Sequence, residues 1–112
     1  MSSDVPAVVV EREPPVLSRV ASPAFSEHVR DLHLARGVDV LTGRCVRAFV
    51  GAGGRVRAVV AADAHGAERE EPCDVVVVGI GAVARDGLAR AAGLRCVDGI
   101  VVAAEARTAA PR

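Results

Sequence analysis

Val75-Val76-Val77-Val78-Gly79-Ile80-Gly81 is the stretch on which the fold turns. Four β-branched residues in a row favour extended backbone, and an apolar run without alternation reads as a strand covered on both faces, as in a parallel sheet. Glycines directly after such a strand sit at the carboxyl edge, where open α/β sheets bind ligands and where a missing side chain lets a ligand approach the backbone. A tight turn leaving the sheet would use the same residues, and both readings stay open.

Working back from that strand, Cys45–Val50 and Arg55–Ala61 flank Gly51-Ala52-Gly53-Gly54, which reads as a hairpin with a glycine turn. Arg and apolar residues alternate in Arg55-Val56-Arg57-Ala58-Val59, as on a half-exposed antiparallel ribbon. A turn near Asp63–Gly66 leads into Ala67–Cys73, completing a three-stranded meander over 45–73. The charge run Glu68-Arg69-Glu70-Glu71 reads as a solvated face.

Farther back, Ala7-Val8-Val9-Val10 is a short apolar run ending at Glu11, read as a buried strand with an acid at its carboxyl end. Pro14-Pro15 breaks the chain. Ser22-Pro23 starts a helix with Ser22 as N-cap, Phe25, Val29 and Leu32 follow at helical spacing, and Arg36-Gly37 closes it. Val38–Leu41 is a second strand, giving a β-α-β unit. Beyond Gly81, a short helix is expected over Asp86–Ala92, and Ile100–Val102 is read as a last strand after the Asp98-Gly99 turn. The fold class is α/β: an incomplete Rossmann-like parallel sheet, lacking its first strand and glycine loop, with an antiparallel meander.

Composition narrows the function classes. With 112 residues the chain can build one domain, and 51% hydrophobic content can supply its core. There are two Phe and no Tyr or Trp, so that core rests on aliphatic residues. Zero formal net charge gives no pointer to nucleic acid or an anionic membrane surface. All 14 basic residues are Arg, which the nucleotide composition of an Ala-, Gly- and Val-rich gene explains more simply than phosphate binding. Cys45, Cys73 and Cys96 form no C-x-x-C pair, which argues against a disulfide framework or zinc site and suggests buried reduced thiols in a cytoplasmic protein. Met1-Ser2-Ser3-Asp4 opens no signal peptide, and the longest apolar run, Val75–Ala84, is half a membrane span.

Glu11 is the first candidate site residue. An acid ending the second strand of a dinucleotide-binding unit accepts hydrogen bonds from the adenosine ribose; an ordinary solvated loop acid is the alternative. The glycine fingerprint should lie about 20 residues before that acid, but only ten residues precede Glu11 and Gly37 is the first glycine. His28, His33 and His65 read as surface residues. No metal triplet and no Ser-His-Asp set is visible, so no catalytic residue is assigned.

The order of these features resembles a family. Val8-Val9-Val10-Glu11, Leu17-Ser18-Arg19, the run Ala35–Val40 and V-V-V-V-G-I-G over Val75–Gly81 resemble the FAD-dependent ferredoxin reductases of bacterial dioxygenase and P450 systems. Leu88–Leu94, Asp98-Gly99-Ile100 and Arg107-Thr108 with Pro111 extend the resemblance. It implies a partial NAD(P)H-binding domain over residues 1–80, then a return segment over 81–112 toward a mostly absent FAD domain. By resemblance, Glu11 would bind the adenosine ribose, and Gly79, Ile80 and Gly81 would line the nicotinamide side. The acid would favour NADH, with Arg12 pulling the other way. The implied chemistry is hydride transfer from NADH to FAD, then single electrons to an iron–sulfur ferredoxin. The chain departs from the pattern at Ala84-Arg85, where many relatives carry Pro-Asn, and at Ala103, where an acid is usual. It also stops at Arg112, before the family's flavin-contacting Gly-Asp motif. FAD binding and activity by this chain alone are therefore not expected. The alternative is a non-enzymatic interaction module, or a split half completed by a partner chain bearing the glycine loop. In the family sheet the first strand lies between the strand ending at Glu11 and Val75–Val78, so two open strand edges are expected.

Overall fold

Local chemistry accounts for most of the regular structure in the computed structural model, which describes residues 5–110. The readings placed on Met1–Asp4 and on Pro111 fall outside that range. The chain divides into two compact units, Met1–Val76 and Val77–Arg112, and each is described by itself.

The first unit opens with β1 (Val8–Val10), α1 (Pro23–Ala35) and β2 (Asp39–Leu41). β1 and β2 pair in parallel, with Val9 opposite Val40, as a β-α-β unit requires. The Ser22 hydroxyl accepts from the Phe25 N–H at 3.4 Å, and Pro23 occupies the first helical turn, where its missing N–H is harmless. At the other end Val38 N–H donates to the His33 carbonyl and Gly37 N–H to the Leu34 carbonyl, both at 3.0 Å. These two bonds satisfy carbonyls that the last turn would leave open.

The meander follows as β3 (Cys45–Ala52), β4 (Arg55–Ala62) and β5 (Glu68–Pro72), in the order β3-β4-β5. Gly53 and Gly54, with φ of +60° and +75°, form the two-residue turn between β3 and β4; both positions require the left-handed region that glycine tolerates. The pairing is not uniform. Arg47 is an extra residue on β3 between the pairs Val46–Ala61 and Ala48–Val60, and Arg57 is an extra residue on β4 between Val50–Ala58 and Gly51–Val56. The buried apolar residues among those described are Ala58, Val59, Ala61 and Ala62, all on the central strand β4. The charge run is only partly solvated, because Glu71 of β5 is half-buried and pairs with Arg69.

In the second unit, α2 (Gly87–Ala91) ends as α1 does: Leu94 N–H donates to Ala89 O and Gly93 N–H to Arg90 O. Asp86 precedes it and receives a forked pair of hydrogen bonds from Arg90, at 3.2 and 3.0 Å. This contact holds the Asp86 carboxyl below its ordinary range.

Several expectations need correction. Val75–Val78 is in no strand, and Val75, Val77 and Val78 are 77%, 91% and 61% exposed. A strand exists only where a neighbour completes its hydrogen-bonded ladder, and no described segment does so here. Ile100–Val102 shrinks to a single bridge between Cys96 and Ile100 around the Asp98-Gly99 turn. β1 forms, yet Val8 and Val9 are 41% and 39% exposed rather than buried, because β1 pairs with β2 alone in a two-stranded sheet of the described residues. The residue that α1 buries is Ser26, while Phe25 and Leu32 remain exposed. The three cysteines are free, as expected, but half-buried rather than buried.

Candidate functional site

Glu11 sits one residue beyond β1 and continues its ladder: its N–H donates to the Leu41 carbonyl at 2.9 Å, and its carbonyl accepts from Arg44 N–H at 3.1 Å. The chain then bends back on the acid. Glu13 N–H donates to Glu11 Oε1 at 2.9 Å, a half-buried bond that fixes the carboxylate at the strand's carboxyl end. The Glu13 carbonyl accepts from Gly43 N–H at 3.4 Å, tying the same turn to the exit of β2. Arg12, between the two acids, directs Nε and a terminal nitrogen at Glu13 Oε1, each at 3.2 Å.

Beside this turn lies a cleft of about 210 Å³ between the strand pair and α1. Val9, Val29 and Val40 supply apolar lining, and Glu11, Arg30 and His33 supply polar groups. His33 is restrained by a 2.7 Å hydrogen bond between Nδ1 and the Val29 carbonyl, which makes Nδ1 the donor. Leu17, also lining the cleft, holds φ of +56°, and its carbonyl accepts from both Val20 and Ala21 N–H. A bulky residue in the left-handed region is strained, so this loop is held by its surroundings. A larger hollow of about 350 Å³ at the β3–β4 hairpin tip has Arg55 as its one charged lining residue and assembles no chemistry.

The other three candidates, Gly79, Ile80 and Gly81, fall in the second unit, whereas Glu11 belongs to the first. No side chain comes within 4 Å of a Cβ built on Gly79 or Gly81, and Ile80 is 92% exposed. The backbone at Gly79 and Gly81 therefore stands clear of the described side chains. Gly81 has φ of +93°, a conformation unfavourable for other residues. His28, His33 and His65 are exposed, and no group of three metal-ligating side chains occurs among the described residues. No described helix is long and apolar enough to cross a membrane.

The sequence reading missed Glu13 and the Gly43-Arg44 anchor. The acid–base–acid spacing Glu11-Arg12-Glu13 was visible, but its meaning depends on a turn that only the folded backbone reveals.

Residues 2–112 match the family described as pyridine nucleotide-disulphide oxidoreductase. The chain is 46% identical over 105 residues to a protein of Castellaniella defragrans named "Probable ferredoxin reductase CtmF", covering 94% of this chain and 25% of that one. It is 40% identical to terpredoxin reductase of a Pseudomonas species, covering 92% and 25%. Among solved structures, a covalent putidaredoxin reductase–putidaredoxin complex superposes with a TM-score of 0.74 and 34% identity, over 93% of this chain and 24% of that one. The chain thus spans about a quarter of the length of the curated relatives it matches.

Proposed function

The chain belongs to the pyridine nucleotide-disulphide oxidoreductase family, and from that premise we propose that it supplies the ribose-binding part of a nicotinamide-nucleotide site in a ferredoxin-reductase-like flavoprotein. The observation that carries this reading is the Glu11 carboxylate, held at the carboxyl end of a parallel strand by the Glu13 N–H on one oxygen, with no hydrogen bond to its second oxygen among the described residues. A vicinal diol needs an acceptor of this kind at this edge of the sheet. Gly79, Ile80 and Gly81, with open backbone, would admit the nicotinamide side.

The residues fit the dinucleotide in part. No G-x-G-x-x-G occurs among the 112 residues, so no pyrophosphate-binding helix N-terminus is assigned to them. The cofactor, when bound, supplies a hydride for FAD, and electrons would pass on to an iron–sulfur ferredoxin. FAD and ferredoxin are carried over from the relatives, and no residue here is assigned to either. A partial nucleotide-binding domain over 1–80 and a return segment over 81–112 remain our division, and the free thiols fit a cytoplasmic location.

The test is a nitrogen–proton amide spectrum of the chain titrated with NADH. Shifts at Glu11–Glu13 and Gly79–Gly81 that vanish in Glu11→Ala are expected; no shift there removes the reading.

A second reading has its own support. Val75, Val77, Val78 and Ile80 are exposed and unpaired, as a segment awaiting a strand partner would be. A separately expressed polypeptide carrying G-x-G-x-x-G should then bind the chain and protect the Val75–Val78 amides from exchange. Unchanged protection would exclude it.

A further inference from the structure

We propose that Glu13 is a specificity-determining residue: by engaging the Arg12 guanidinium it keeps a 2′-phosphate away from Glu11 and restricts the site to dinucleotides with a free ribose 2′-hydroxyl. This inference rests on the reading of Glu11 as the ribose acceptor.

Arg12 is the natural cation for a 2′-phosphate, since it directly follows the ribose acid and a guanidinium fork matches phosphate oxygens. In the folded chain two of its nitrogens face Glu13 Oε1 instead, each at 3.2 Å. A phosphate arriving there meets two carboxylates and one guanidinium already shared with a carboxylate. Like-charge repulsion and competition for the fork both act against it.

The placement of Glu13 is not accidental to its neighbours. Its N–H holds Glu11 Oε1 at 2.9 Å and its carbonyl accepts from Gly43 N–H at 3.4 Å, so the backbone of the turn is pinned at both groups. The side chain therefore starts from a fixed Cα beside Arg12. One residue thus serves both discriminations: its backbone orients the acid that accepts a diol, and its side chain neutralises the cation that would accept a phosphate. Arg12 and Glu13 are both substantially exposed, at 69% and 46% of the side chain, so the effect of Glu13 is modest beside that of Glu11.

The test compares NADH and NADPH binding to the full chain by amide titration, for the wild type, Glu13→Gln, Glu13→Gln with Arg12→Ala, and Glu11→Ala. Glu13→Gln keeps the N–H that holds Glu11 and removes only the charge. It should raise the ratio of NADPH to NADH affinity by about threefold, as expected for release of one exposed ion pair. Adding Arg12→Ala should return the ratio to its starting value, and high salt should shrink the difference. If NADH binds through Glu11 and the ratio does not move in Glu13→Gln, the inference fails while the site reading stands. If NADH does not bind the wild type, or Glu11→Ala leaves binding intact, the site reading fails and the inference falls with it.

Discussion

The meander and the Val75–Ile80 segment are built from the same kind of residue and end in opposite states. β4 carries Ala58, Val59, Ala61 and Ala62 to near-complete burial, whereas Val75, Val77, Val78 and Ile80 are left open to solvent. Hydrophobicity does not separate them; access to partners does. A two-residue turn delivers β3 to β4, and Asp63 delivers β5, so every ladder bond of β4 closes within about one strand length of chain. A parallel strand can close its ladder only through a crossover or a distant segment, so its sequence signal is met only where that segment is present.

The same charge placed in both regions should have its largest effect in the meander. Ala61 is fully buried, so Ala61→Asp should cost about 3–5 kcal/mol and shift the urea midpoint of the meander markedly, because burial strips the carboxylate of water and the Arg69 opposite it is already paired with Glu71. Val77→Asp, at a residue 91% exposed, should change stability by less than about 0.5 kcal/mol and leave the midpoint nearly unmoved. Equal effects would mean that Val77 is buried in solution.

A smaller contrast uses glycine. A Cβ on Gly51 would stand 2.6 Å from the Arg55 carbonyl oxygen, so Gly51→Ala should destabilise the hairpin by on the order of 1–3 kcal/mol in the same unfolding experiment. Gly79 has open space and no left-handed φ, so Gly79→Ala should leave stability within about 0.5 kcal/mol of the wild type. If it nevertheless abolishes the NADH-dependent shifts, Gly79 is required for ligand approach and not for the fold.

What could be read in advance follows the same division. The limits of α1 were legible because Ser22, Pro23 and Gly37 act through bonds within one turn. The hairpin was legible because Gly53-Gly54 answers a local demand on φ. The state of Val75–Val78 was not, since it depends on what stands beside it. Glu11 was found from its place after a strand, but Glu13 was not, because its N–H and side chain acquire their roles only when the turn folds back. The bulges at Arg47 and Arg57 left no signal, as both residues fit an alternating ribbon equally well.

The least expected effect is a dependence on pH. Asp63 Oδ1 accepts from Ala67 N–H at 3.0 Å and His65 N–H at 2.8 Å, and these bonds hold its carboxyl below the ordinary 3.8. A depressed folded-state value contributes stability above the unfolded value, and that contribution is lost as pH falls through the folded one. The β4–β5 turn should therefore loosen in acid below about pH 3.8, read from amide exchange at His65 and Ala67. Asp63→Ala should remove that acid transition; its survival would assign it to another group.

Arg47 advances the β3 side of the hairpin by one residue and Arg57 advances the β4 side by one. The first offset is cancelled by the second, so the strand ends meet in the phase they would have had with neither. Across lineages, single-residue insertions and deletions between Cys45 and Ala62 should be scarce, because one alone would leave the strand out of step beyond it. Matched gains or losses on both strands should be tolerated, so length variation in this hairpin is expected to come in compensating pairs.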